Sequence, residues 1–153
     1  MRAKLTRKFV DTGYDATPMV PCSELNDIFD LQGLPGAVFC SREEEAVAVG
    51  AGMHIAGRQP LVLMQSSGLM SSLNTVGSLL VAYALPVTLL VAMRGGADEQ
   101  NPTQVPTGRA VQPSLGALGC VTITCCAGTL LSTLRTIRLN PISNASPTVV
   151  LLT

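Results

Sequence analysis

Residues 61–93 read LVLMQSSGLMSSLNTVGSLLVAYALPVTLLVAM and contain no Asp, Glu, Lys or Arg; the uncharged run begins at Gln59. Its second half is long enough to span a bilayer, which takes about 20 apolar residues. Pro86 divides it, however, because a proline inside a helix removes a hydrogen bond and clashes with the preceding turn. Before Pro86 the residues are Ser, Gly, Ala and Leu at helical spacing, and after it VTLLVAM is a β-branched run of strand length. The segment therefore predicts strand, buried helix and buried strand rather than a membrane span.

The same alternation extends outward in both directions. Short apolar runs at Thr17–Val20, Ala37–Cys40, Leu61–Met64, Val87–Met93, Val121–Thr124 and Thr148–Leu152 predict six strands. Helix-length segments lie between them, at about Ser23–Leu31, Arg42–Ala56, Leu69–Ala84 and Gly128–Leu139. A leading helix is expected near Ala3–Asp11, and a short one around Gln112–Leu118. Strands that are apolar without alternation imply a sheet covered on both faces, and intervening helices imply parallel βαβ units. The expected fold is thus α/β: one doubly wound domain, residues 1–153, with a mainly parallel sheet of about six strands and helices on both faces. In such a sheet ligands bind beyond the carboxyl ends of the strands. The segment GGADEQNPTQVPTG (Gly95–Gly108) is polar and rich in Pro and Gly, and is expected to form a lid there.

Composition excludes several classes. Net charge is zero and only 13% of residues are charged, so no concentrated positive field exists for nucleic acid or an acidic membrane. Aromatics are 3%, too few for base-stacking platforms. The five cysteines show no C-x-x-C spacing, so neither a zinc site nor a disulfide scaffold follows. The opening MRAKLTRKFV carries no apolar signal segment, and a reducing cytoplasm is the expected compartment. No G-K-[ST] is present. The GAG at Gly50–Gly52 lacks the third glycine of a dinucleotide fingerprint and falls inside a helix. His54, the single histidine, sits late in the predicted second helix, away from the strand ends.

The informative cluster is CSREEEAVAVGAG (Cys40–Gly52). Ser41 and Glu44 have the spacing of a capping box, and Glu45 reads as a solvated first-turn acid favoured by the helix dipole. Glu43 is left near the carboxyl edge of the sheet, ahead of a small-residue face formed by Ala46 and Gly50.

The run E-x-x-A-x-x-x-G-x-G from Glu43 to Gly52 resembles the helix that opens the pyrimidine-binding domain of thiamine-diphosphate enzymes. VPCSEL (Val20–Leu25) resembles that domain's first strand-to-helix loop in the decarboxylase branch. MQSSGLMSSLN (Met64–Asn74) with LPVTLLVAMRG (Leu85–Gly95) resembles the next strand–helix–strand. The set is similar to the sulfopyruvate and phosphonopyruvate decarboxylase family, and QVPTG (Gln104–Gly108) leans toward the sulfopyruvate side.

This resemblance covers roughly residues 1 to 125 and implies a site. Glu43 would be the catalytic acid that activates the cofactor, with Pro21, Gln65, Ser66 and Gly68 as further cofactor-binding positions. Cys22, Ser23, Arg94 and Arg109 would lie on the substrate side; Ser23 equally suits the N-cap of a helix beginning at Glu24. The cofactors implied are thiamine diphosphate and Mg²⁺. No G-D-G motif for the metal-bound diphosphate occurs in the sequence. The resemblance therefore implies a separate beta subunit that ligates Mg²⁺, an α/β heteromeric assembly, and a small anionic 2-oxoacid substrate, most simply 3-sulfopyruvate converted to sulfoacetaldehyde and CO₂. A phosphonopyruvate decarboxylase half, another thiamine-diphosphate carboligase subunit, and a non-catalytic α/β binding or regulatory subunit remain the alternatives.

Overall fold

A computed structural model describes residues 2–97 and 99–153. Six parallel strands form one sheet: β1 (Thr17–Met19), β2 (Ala37–Phe39), β3 (Leu61–Gln65), β4 (Thr88–Ala92), β5 (Val121–Cys125) and β6 (Thr148–Leu152), in the order β2-β1-β3-β4-β6-β5. Every strand overlaps the segment expected for it. The central strands are in continuous register, Leu61 beside Thr88 and Thr88 beside Thr148.

Side chains alternate between two cores. Leu61, Leu63, Leu90, Ala92, Val150 and Leu152 face α1 (Arg2–Phe9), α2 (Ser23–Ile28) and α7 (Leu130–Leu139). There Phe9 and Phe29 meet edge to face with centroids 5.7 Å apart. Val62, Met64, Leu89, Val91, Val149 and Leu151 face the helices of the opposite layer, α3 (Glu43–Ile55) through α6 (Gln104–Ala117). Each such fully buried aliphatic contributes about 1.5–3 kcal/mol relative to exposure, so the uncharged stretch is explained by burial in the protein interior. Among the described residues no helix is long and apolar enough to cross a membrane.

Two helices differ from expectation. The helix expected over Leu69–Ala84 is broken into α4 (Ser66–Ser71), α5 (Leu73–Thr75) and a π-helical stretch Val76–Val81. Buried Ser72 is the cause: its hydroxyl donates to the Leu69 carbonyl at 3.0 Å, and Ser71 donates to that of Gly68 at 2.8 Å. Such back-bonding competes with the helical ladder. Ala84 then turns the chain with φ +53°, just before Leu85-Pro86.

The short helix expected around Gln112–Leu118 instead starts at Gln104 and runs for 14 residues. It absorbs QVPTG, so only the first part of the expected lid is loop; Asp98 of that segment lies outside the described residues. Pro106 is tolerated in the first turn, and Pro113 is carried in the interior because Val111 and Leu115 are fully buried against the sheet.

The connections place the site. The chain leaves β1 through α2 on one face to reach edge strand β2. It then returns over β1 through α3 on the other face to β3. Loops after β1 and β3 therefore part in opposite directions, which opens a crevice at the carboxyl edge between them.

Candidate active site at the carboxyl edge

The three glutamates have three different environments. Helix α3 begins at Glu43, with Arg42 at the N-cap in extended conformation. The expected capping box of Ser41 and Glu44 does not form, because Arg42 is the N-cap and makes no side-chain cap bond; Glu45, the third helical residue, instead accepts the N–H of Ser41, one residue before the cap, through Oε2 at 2.8 Å. Glu44 instead pairs with exposed Arg42 at 3.2 Å, a surface pair of small energetic value. Glu43 is half-buried and, among the described residues, has neither hydrogen bond nor ion pair.

Glu43 lies over the start of α4. A Cβ built on Gly68 would overlap the Glu43 carboxylate, its Cδ and its Cγ, so only glycine fits there. Gly50 performs a related service one face below, where a Cβ would come within 2.5 Å of Val62 Cγ2. It lets α3 lie close on β3 and holds the Glu43 end of the helix over the crevice.

Next along the edge, Gln65 is the N-cap residue of α4 and its side-chain amide donates to the Ser67 hydroxyl. Ser66 is fully buried, and its Oγ accepts the Arg94 N–H at 3.0 Å. That bond ties the end of β3 to the end of β4. Gly108 of α6 sits against the Arg94 carbonyl, where a Cβ would overlap the oxygen.

The Arg94 side chain is already engaged. Its Nε and Nη2 donate to the two oxygens of Glu99 at 2.8 and 2.7 Å, and its Nη1 meets Glu24 Oε1 at 3.0 Å. Glu99 also accepts the N–H groups of Gly95 and Asn101 at 3.0 and 2.9 Å. The Arg94 hydrogen bonds, helped by these amides, hold its carboxyl down at about 2. One guanidinium between two carboxylates leaves this corner net negative. Glu24 and Glu99 were not singled out from the sequence. The available signal was the scarcity of charge, since a lone arginine ending a buried strand needs acids from somewhere.

At the end of β1, Cys22 occupies the N-cap of α2, and Ser23 is the first helical residue rather than the cap. Burial pushes the Cys22 thiol up to about 11, with the neighbouring Glu24 carboxylate contributing, so it is a protonated thiol near neutrality and a poor nucleophile. Ser23 and Pro21 are exposed at this end, and Arg109 is exposed on α6. The structure thus links Glu43, Gly68, Ser66, Arg94 and Glu24, the residue after Ser23, along adjacent strand ends β3, β4 and β1. Arg109, exposed on α6, takes no part in this linkage. His54 lies at the opposite edge, and among the described residues no three His, Cys, Asp or Glu side chains converge as a metal site.

No protein-family model matches the chain. Individual relatives do. It is 40% identical over 103 residues to "Sulfopyruvate decarboxylase subunit alpha" of Methanothermobacter thermautotrophicus, which covers 65% of this chain and 62% of that one. Identity to the protein of the same name from Methanococcus maripaludis is 36% over 110 residues, 67% of this chain and 64% of that one. The chain is homologous to sulfopyruvate decarboxylase alpha subunits. A Methanosarcina acetivorans "Sulfopyruvate decarboxylase" is 32% identical over 92% of this chain but only 36% of its own length.

The chain therefore spans less than two thirds of the curated relatives it matches. Among solved structures, it superposes on a 2-oxoglutarate:ferredoxin oxidoreductase from Magnetococcus marinus with TM-score 0.67 and 13% identity, over 93% of this chain and 26% of that one. It also superposes on a Mycobacterium smegmatis protein assigned to the thiamin diphosphate-dependent enzymes, with TM-score 0.62 and 18% identity, over 99% of this chain and 31% of that one. These likenesses show the fold.

Proposed function

We propose that this chain is the alpha-type part of a thiamine-diphosphate-dependent 2-oxoacid decarboxylase, acting on 3-sulfopyruvate to release CO₂ and sulfoacetaldehyde. One observation carries the reading. Of three consecutive glutamates, Glu43 is the one without a partner, and it stands at the switch-point crevice over a glycine that makes room for its carboxylate.

The donor set suits the pyrimidine half of the cofactor. A half-buried, uncommitted carboxylate is the group that can share a proton with the ring nitrogen N1′ of an aminopyrimidine. The Gly68 cradle keeps any side chain out of that space. When bound, thiamine diphosphate supplies a nucleophilic carbon for the 2-oxo group and an electron sink for the pair left by departing CO₂. Glu43 holds the proton at N1′, Gln65 and Ser67 line the adjoining turn, and Ser66 fixes that turn to β4. On the substrate side, Cys22 and Ser23 present a neutral thiol and a hydroxyl at the end of β1. Arg94 meets the substrate's anionic end only by exchanging Glu24 or Glu99 for it, and exposed Arg109 is the second available cation.

Nothing in the sequence provides a G-D-G diphosphate site. Because the relatives from Methanothermobacter and Methanococcus are named as alpha subunits, the proposal includes a beta subunit that brings Mg²⁺ and the diphosphate-binding residues, with the cofactor held where the two polypeptides meet. The test is CO₂ release from 3-sulfopyruvate by the reconstituted complex. Glu43→Gln, which keeps size and removes the proton-sharing carboxylate, is expected to leave assembly intact and to lower turnover about 10²- to 10⁴-fold. Turnover equal to wild type would remove Glu43 from the mechanism.

A further inference from the structure

The opposite edge of the sheet holds a second concavity, about 190 Å³, where the amino ends of β3, β4 and β6 meet the carboxyl ends of α3 and α7. Tyr14, His54, Gln59, Arg138, Ser143 and Asn144 contribute its polar lining. It lies a strand length from Glu43, about 17 Å for five residues, and shares no residue with the crevice above.

Arg138 is the distinguishing group. Its stem packs on Gly13, where a Cβ would lie 3.3 Å from Arg138 Cγ, and its Nε is buried without a hydrogen-bond partner among the described residues. No Asp or Glu lines the cavity. The nearest acid in sequence, Asp15, is already committed, with Oδ2 on Arg58 Nε at 3.1 Å and Oδ1 accepting the Gln59 N–H at 2.8 Å. The carboxyl end of α7 offers Arg138 only about half an opposite charge. Arg138 lines the cavity and no carboxylate there neutralises it, so an anion that enters meets an uncompensated positive charge.

The remaining lining adds donors to this cation. Ser143 Oγ already accepts the N–H groups of Ala145 and Ser146 at 3.1 and 3.0 Å, so its own hydrogen is left to donate. Asn144 and Gln59 bring side-chain amides and His54 an imidazole N–H. Tyr14 turns its hydroxyl hydrogen to Thr88 Oγ1 at 3.0 Å and forms the floor. The cavity is smaller than the roughly 300 Å³ at which pockets for drug-sized ligands begin, which excludes a nucleotide.

We propose that this cavity binds a small tetrahedral oxyanion of the phosphate or sulfonate type, held by Arg138 and by neutral donors from Ser143, Asn144 and His54. The inference does not depend on the decarboxylase reading. It is tested on the full chain in its assembly by ³¹P line broadening of inorganic phosphate, and by thermal shift with phosphate or methanesulfonate against chloride at equal ionic strength.

Wild type is expected to bind at least one of the two oxyanions below about 50 mM. Arg138→Gln is expected to weaken binding about ten- to hundredfold, the usual loss of a charge-assisted hydrogen bond. Asn144 is exposed, so Asn144→Ala folds normally and is expected to weaken binding severalfold. Glu43→Gln is expected to bind as wild type does. Absence of binding by wild type, an equal response to chloride, or unchanged affinity in both Arg138→Gln and Asn144→Ala would overturn the proposal.

Discussion

The two edges of the parallel sheet each hold a half-buried charge without an opposite partner among the described residues, and the two charges differ in sign. At the carboxyl edge Glu43 stands free while its neighbours Glu44 and Glu45 are engaged. At the amino edge Arg138 lines a cavity that contains no acid. Elsewhere the protein pairs its few half-buried charges closely, as Arg94 does with Glu24 and Glu99. Among the described residues, half-buried charge without a partner is thus found at the two edges of the sheet and not between them. Because burying an ion costs several kcal/mol unless something compensates, each such place is where a ligand is expected.

The sharpest way to break the comparison is to remove each charge in turn. Glu43→Gln should lower turnover about 10²- to 10⁴-fold and leave phosphate binding unchanged. Arg138→Gln should do the reverse. If either variant damages both properties, the two edges are not independent. Gly68→Ala comes next. Its new methyl would overlap the Glu43 carboxylate, so turnover should fall about tenfold or more while overpacking costs about 1–3 kcal/mol, measurable by urea unfolding. A Gly68→Ala variant with full turnover would show that Glu43 can leave the cradle without consequence.

A smaller effect tests the paired contrast at Arg94. The Arg94 hydrogen bonds hold Glu99 at about 2 in the folded chain against an ordinary 4.5. A carboxyl depressed in this way contributes stability above 4.5 that is lost as pH falls toward 2. Wild type should therefore lose stability across that interval, and Glu99→Gln should show a flatter acid limb in urea unfolding followed against pH. The smallest effects separate the remaining two glutamates. Glu45→Ala should cost about 1 kcal/mol, because Glu45 satisfies the Ser41 amide, whereas Glu44→Ala should cost less than about 0.5 kcal/mol. Equal losses would show that the bond from Ser41 to Glu45 adds nothing beyond a surface pair.

Much of the fold was legible because its signals are local. An uncharged run cut by Pro86 reads as strand, helix and strand wherever it sits, and the six apolar runs fall on the six observed strands. The misreadings also have physical causes. QVPTG looks like loop, yet burial of Val111 and Leu115 pulls it into α6. Leu69–Ala84 looks like one helix, yet buried Ser72 bonds back to a carbonyl and breaks it. At the site, Glu43 and Gly68 were already on view, but not that one makes room for the other. Arg94 was on view as a substrate-side cation, and it is bound to two acids.

The sequence by itself determined the layers, the parallel sheet and the edge at which to look, since hydrophobic period and strand–helix alternation depend on neighbours along the chain. Only the tertiary structure decided which charges are spent and which are available. Glu43 meets Gly68 across 25 positions, Arg94 meets Glu24 across 70, and Arg138 comes to line one cavity with Tyr14 and His54 from the other half of the chain. Strand order creates these meetings, and a charge's partner is set by distance in space, which spacing along the sequence does not encode.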